Sequence, residues 1–240
     1  MKQILFLAFI LTVFPALSQD NTTNSTTSFK KIAIGATVSP DFCFRTLKNT
    51  DGTEMSNASF DSRNKNEIPK LGFTSGISFI YFIKENLGFE CGLQYQNQGF
   101  QTNPIGQSVV LPNDPIIIIY RYNYNYANVP LKVNFSIGKK RLKLCTSAGF
   151  AINFFTNASI TTIKQAQDFS YTQTSSNDNS NYKKINLSPM ASIGLDIKLG
   201  KRMNLKIEPT FRYGIFKIID SPVTEYLWNA GLNIEYFVAF

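Results

Sequence analysis

The sequence predicts an all-β protein: an eight-stranded antiparallel up-and-down transmembrane β-barrel with long extracellular loops and short periplasmic turns. Three observations predict it. Apolar and polar residues alternate with period two over eight separate stretches. The connections between those stretches alternate long and short. The chain also closes on an alternating fifteen-residue stretch, Tyr226 to Phe240, that is long for a soluble sheet and ends on an aromatic residue.

Composition narrows the function classes. The 240 residues make one sizeable domain. A mean hydropathy of -0.10 looks soluble, but a membrane strand needs only every second residue to be apolar, so the average conceals the pattern. The net charge of +8 does not point to nucleic acid, because the basic residues are scattered and no recognition-helix pattern accompanies them. The densest run is Lys139, Lys140 and Arg141. Histidine is absent, which removes the usual general base and the commonest metal ligand. Cys43, Cys91 and Cys145 are odd in number and widely spaced, unlike a disulfide framework or a zinc site. Ser188, Asp196 and Glu208 supply a hydroxyl and acids with no histidine to link them, so neither an enzyme nor a cofactor is expected.

The amino terminus reads as a targeting segment. Lys2 precedes an apolar core from Ile4 to Phe14, and Ala16 and Ser18 fit the small positions of a secretory cleavage site. Residues 1–18 are therefore expected to be a cleaved signal peptide, and 19–30, rich in Asn, Thr and Ser, a disordered linker. The barrel domain is expected over 31–240.

The first strand puts Ile32, Ile34, Val38, Phe42 and Phe44 on one face and Gly35, Thr37, Ser39 and Asp41 on the other. A polar loop is expected from Thr46 to Glu67. The second strand, about Lys70 to Ile83, and the third, Leu87 to Phe100, flank a tight turn at Lys84 to Asn86. A proline-bearing loop follows to Pro115. The fourth strand, Ile117 to Ile137, has Val129, Leu131, Val133 and Phe135 on the apolar parity, whereas Tyr120, Tyr122, Tyr124 and Tyr126 take the other. Either a bulge near Ala127 shifts the phase, or the tyrosines face the lumen above the lipid; the second is favoured. After the turn at Gly138 to Lys140 comes the fifth strand, Arg141 to Phe155. The longest loop is expected from Asn157 to Asn186, with strand extensions possible at Ile160 to Ile163 and Phe169 to Thr172. The sixth strand, Leu187 to Leu199, the turn Gly200 to Arg202, the seventh strand, Met203 to Phe216, and a loop with Pro222 lead to the closing strand.

Connections are thus long after strands one, three and five and tight after two, four and six, as an even-stranded barrel with both termini in the periplasm requires. The soluble rival is a lipocalin-like barrel. The face opposite the apolar one is too polar for a lipid-binding cavity: it carries Glu90, Lys132, Lys143, Asp196, Lys198, Lys206, Glu208, Arg212 and Glu235. These nine are expected to form a polar network filling the lumen. Eight strands leave room only for side chains, so a pore is disfavoured. The expected location is the outer membrane, in contact with its lipid.

The phrase Tyr126-Ala127-Asn128-Val129-Pro130-Leu131-Lys132, with the closing strand ending at Phe240, resembles the PorT-like outer-membrane β-barrel proteins of Gram-negative bacteria. The resemblance covers the chain from about Lys31 and implies the same fold and location. It also implies an accessory role in protein secretion, with envelope proteins as partners. Leu232, Ile234, Tyr236, Val238 and Phe240 are similar to the terminal signal read by the outer-membrane barrel assembly machinery, which that resemblance makes a partner during biogenesis.

Overall fold

A computed structural model describes residues 31–107, 116–138, 141–165, 170–176, 179 and 181–240. The predicted signal peptide, 1–18, and linker, 19–30, lie outside the described residues. Within them the chain forms β1 (Ile32–Asn49), α1 (Glu54–Asn66), β2 (Glu67–Lys84), β3 (Leu87–Thr102), β4 (Ile105–Gln107), β5 (Ile116–Ile137), β6 (Leu142–Gln165), β7 (Ser170–Ser176), β8 (Ile185–Lys198), β9 (Met203–Tyr213) and β10 (Val223–Ala239).

Eight of these strands make a closed wall in the order β1-β2-β3-β5-β6-β8-β9-β10, every neighbouring pair antiparallel. β10 returns to β1, with Ile34 opposite Val238 and Asn49 opposite Val223. Closure removes the sheet edge, so backbone N–H and C=O groups find partners within the ring, as hydrocarbon surroundings demand. β4 pairs with the start of β5 and β7 with the end of β6, and both lengthen outer hairpins.

Side-chain placement inverts that of a soluble protein. Along β1 every odd residue from Ala33 to Leu47 is buried, while Ile32, Ile34, Val38 and Phe42 point outward. Ile34, Ile77 and Ile193 are 51%, 62% and 59% exposed, whereas Ser39, Asp41 and Glu208 are fully buried at 0%. Exposed isoleucines with buried carboxylates would be doubly unfavourable in water and are favourable when the outside is lipid. This placement excludes the soluble barrel.

The stretch 46–67, predicted as a loop, is largely ordered structure: β1 continues to Asn49 and α1 fills 54–66. Thr53 caps the helix, its hydroxyl accepting from the Ser56 amide, with Glu54 in the first turn and Arg63 and Lys65 in the last. Each charge matches the helix dipole. α1 has no apolar stripe, so periodicity could not reveal it. β6 reaches Gln165 and, with β7, turns part of the predicted 157–186 loop into a hairpin. β9 stops at Tyr213, short of the predicted Phe216, because residues 214–222 fold inward over the barrel mouth. There the Gly214 amide donates to the Leu227 carbonyl, and Ile218 is buried.

In β5 the tyrosine phase is continuous. Gln94 faces Asn128, Gln96 faces Tyr126 and Gln98 faces Tyr124 in one unshifted register with β3. Tyr124 and Tyr126 are buried inside, on the parity of Asn128 and Lys132. The irregularity lies in the neighbour: Asn125 pairs with Asn157 but Tyr126 with Phe155, which leaves Thr156 of β6 as the extra residue. Its hydroxyl donates to the Asn125 carbonyl at 2.7 Å.

Candidate functional site: a sealed lumen and its outer mouth

The lumen is filled in three tiers. The middle tier is an ion cluster drawn from four strands. Glu90 on β3 sits 2.6 Å from Lys132 on β5, and Lys132 is 3.6 Å from Glu235 on β10. Lys206 on β9 lies 3.6 Å from Glu90, 3.1 Å from Glu208 and 3.5 Å from Glu235. Asn134 donates to Glu90 at 2.8 Å and accepts from Lys206 at 3.1 Å, and Ser78 donates to Glu235 at 3.2 Å. Alternation creates the cluster, since each residue occupies the inward parity of its strand at one height.

The nine residues predicted as one network divide. Glu90, Lys132, Lys206, Glu208 and Glu235 form this cluster. Arg212 joins a neighbouring group instead, 3.6 Å from Asp41, whose carboxylate also accepts from Ser39 at 2.6 Å and Thr74 at 2.5 Å. Lys143, Asp196 and Lys198 do not enter either group. Lys143 and Asp196 face each other across β6 and β8, Asp196 accepts from Asn204 at 2.7 Å, and Lys198 is exposed at the periplasmic rim. Their strands end there, so the inward parity no longer leads into an enclosed space. Asp41 is absent from the predicted network although its parity with Ser39 and Thr37 placed it on the polar face. Lys70, which donates to Asn97 at 2.7 Å and Asn123 at 2.6 Å, is likewise absent.

The outer tier is aromatic. Phe100, Tyr124, Tyr126, Phe155, Ile218 and Leu227 form a buried core inside the extracellular end of the barrel. Phe100 stacks on Tyr122 with centroids 4.8 Å apart, and Phe155 stacks on Tyr182 at 5.1 Å. Over them lies a charged latch: Arg45 bonds Glu67 at 2.7 Å, and Arg63 of α1 bonds Glu67 and Glu225, each at 2.7 Å. Both guanidinium groups also stand over the Phe100 ring, at 5.7 and 5.6 Å. For Arg63 burial favours the neutral form, yet Glu67 and Glu225 more than offset it and hold the guanidinium charged. Asp220, bonded to Lys183 and Lys217, braces the 214–222 segment that inserts Ile218. The latch lay hidden in stretches predicted as loop.

At the periplasmic end Ala33, Ile80 and Phe237 make a smaller apolar tier with Phe82 and Ala239. A cavity of about 60 Å³ remains beside it, reaching Asn134, Asp196 and Lys206. The closing-strand residues Leu232, Ile234, Tyr236, Val238 and Phe240 share one parity, opposite that of the buried Asn233, Glu235 and Phe237. Ser188, Asp196 and Glu208 have separate partners: Asn153 donates to Ser188 at 2.7 Å, Asn204 to Asp196, and Lys206 faces Glu208.

A family model described as outer membrane protein beta-barrel domain matches residues 17–220. The chain belongs to that family. Family and inverted side-chain placement together put it in the outer membrane. Its fold is similar to that of Neisserial surface protein A, at 10% identity and a TM-score of 0.44, over 87% of this chain and 97% of that one. It is also similar to OprG from Pseudomonas aeruginosa, at 11% and 0.43 over 89% and 99%. The outer membrane protease OmpT from Escherichia coli aligns at 9% and 0.41 over 92% and 99%. No curated protein matches.

Proposed function

We propose that the protein is a sealed, non-enzymatic outer-membrane scaffold whose extracellular hairpins and helix α1 present an interaction surface to envelope or external partners. The three-tier filling of the lumen carries this reading. An eight-stranded barrel has only enough interior for side chains, and here aromatic, ionic and apolar layers occupy it in succession. α1 and the 214–222 segment are meanwhile fixed to the wall by buried or paired contacts, so the outer surface has a defined shape. Planar-bilayer recordings should show no unitary conductance. Replacing α1 with a short Gly-Ser link should abolish a surface interaction phenotype while the barrel still shows heat-modifiable migration. Unchanged phenotypes in every loop-trimmed variant would refute the scaffold role.

A second reading is an accessory role in protein secretion, which the PorT-like phrase supports. Within that phrase Tyr126 belongs to the aromatic tier, Asn128 donates to Gln96 at 2.8 Å, and Lys132 anchors the ion cluster. Crosslinking in whole cells should then capture envelope secretion components, and normal secretion in a deletion strain would refute it. The common parity of Leu232 to Phe240 suits an assembly signal. Deleting Phe240 is expected to slow insertion by the assembly machinery without preventing refolding into detergent.

A further inference from the structure

We propose that the basic periplasmic rim binds anionic phospholipid headgroups of the inner leaflet. Among the described residues the larger excess of basic charge lies there. Buried charges among the described residues balance, five acids against five bases. At the extracellular end eight further bases meet five acids among the described residues. At the periplasmic end seven bases meet only Glu85 and Asp196.

Two of those seven lie at β1 and β2 and five at the adjacent strands β6, β8 and β9. Lys31 precedes β1 and Lys84 ends β2; Arg141 and Lys143 open β6; Lys198 ends β8, and Lys201 and Arg202 lead into β9. Backbone hydrogen bonds tie these positions around the circumference: Phe82 to Lys31 at 2.7 Å, Lys198 to Arg141 at 2.8 Å and Ala239 to Arg202 at 2.7 Å. Six of the seven are exposed, and Lys143 is half-buried.

Height decides what they meet. The lipid-facing apolar surface runs up to the turns themselves, with Ile83, Ile137, Leu142 and Leu199 all exposed. No polar spacer separates hydrocarbon from cation, so the Lys and Arg heads reach the plane of the headgroup phosphates. Short turns place this rim in the periplasm. Contact between these cations and the end of the hydrocarbon-facing belt matches lipid headgroups, which lie at that level on every side of the barrel.

The test uses the mature barrel in nanodiscs of equal zwitterionic (phosphatidylethanolamine) and anionic (phosphatidylglycerol) phospholipid, with retained lipid quantified after mild detergent extraction. Wild type should retain the anionic lipid at least about threefold over the zwitterionic one, with the preference shrinking as salt rises. The triple variant Arg141→Gln, Lys198→Gln, Arg202→Gln should bring the ratio near unity. Lys48→Gln, Lys65→Gln, Lys184→Gln, at the other end, should leave it unchanged. Heat-modifiable migration verifies folding of each, and the salt titration of wild type needs no variant at all. A wild-type ratio near one, a salt-independent ratio, or full preference in the folded rim variant would overturn the proposal. So would charge-dependent capture of an acidic periplasmic protein without anionic-lipid preference.

Discussion

Replacing Lys132 by methionine tests the ion cluster most directly. The substitution keeps length and removes the ammonium that stands 2.6 Å from Glu90 and 3.6 Å from Glu235. Three buried carboxylates, Glu90, Glu208 and Glu235, would then share Lys206 alone, which already sits 3.1 to 3.6 Å from each. Removing one partner of a buried ion pair costs about 3–5 kcal/mol, because the charge left behind is desolvated and unpaired. With a urea slope of about 3 kcal/mol/M, the unfolding midpoint should fall by about 1–1.7 M. Urea unfolding in phospholipid vesicles, followed by Trp228 fluorescence and heat-modifiable migration, reads the shift; Trp228 is the single tryptophan. The double variant Glu90→Gln, Lys132→Met removes the orphaned charge and should recover about 1–3 kcal/mol. A single variant within about 1 kcal/mol of wild type, or a double variant no better than the single, would refute an energetically coupled cluster.

Ile218→Ser should loosen the outer mouth, making the 214–222 segment cleavable by added protease. Ion conductance should stay absent, because the middle tier still closes the lumen. A Cβ on Gly231 would fall on the Asp41 carboxylate and the Ser39 hydroxyl, so Gly231→Ala should displace Asp41 from Ser39, Thr74 and Arg212. It should lower refolding yield into liposomes and stability by about 1–3 kcal/mol. The Asp220 carboxyl is held below its ordinary value by hydrogen bonds from Lys183 and Lys217. A depressed folded value means that the brace is fully present above the ordinary carboxylate range and is lost as pH falls through the depressed one. Amide exchange across 214–222 should therefore accelerate on acidification, and Asp220→Asn should remove that pH dependence.

The wall was legible because lipid imposes one rule on every strand, and Ile32 to Phe44 or Leu87 to Tyr95 obey it without interruption. Strand phase reached even the inward tyrosines of β5. What escaped has different physics. α1 is held by a cap, end charges and Arg63 rather than by an apolar stripe, so no periodicity announced it. The Thr156 bulge depends on pairing with Asn125, which a single strand does not reveal. Height along the barrel, which separates the Glu90 cluster from Lys143, Asp196 and Lys198, depends on strand stagger, and parity carries no information about stagger. Asp41 had the right parity, but parity alone does not reveal that Ser39, Thr74 and Arg212 converge on its carboxylate.

The bond from Thr37 to Asn233 joins residues 196 positions apart. The β1 to β10 ladder around it joins opposite ends of the chain, so its closure cost falls if the intervening hairpins form first. Local hairpins such as β2 with β3 carry little loop-closure cost; this ladder carries the largest in the molecule. Folding is thus expected to be late-committing. A chain interrupted before β10 retains two unsatisfied strand borders, and neither Lys132 nor Lys206 meets its full set of counter-charges until the final strand delivers Glu235.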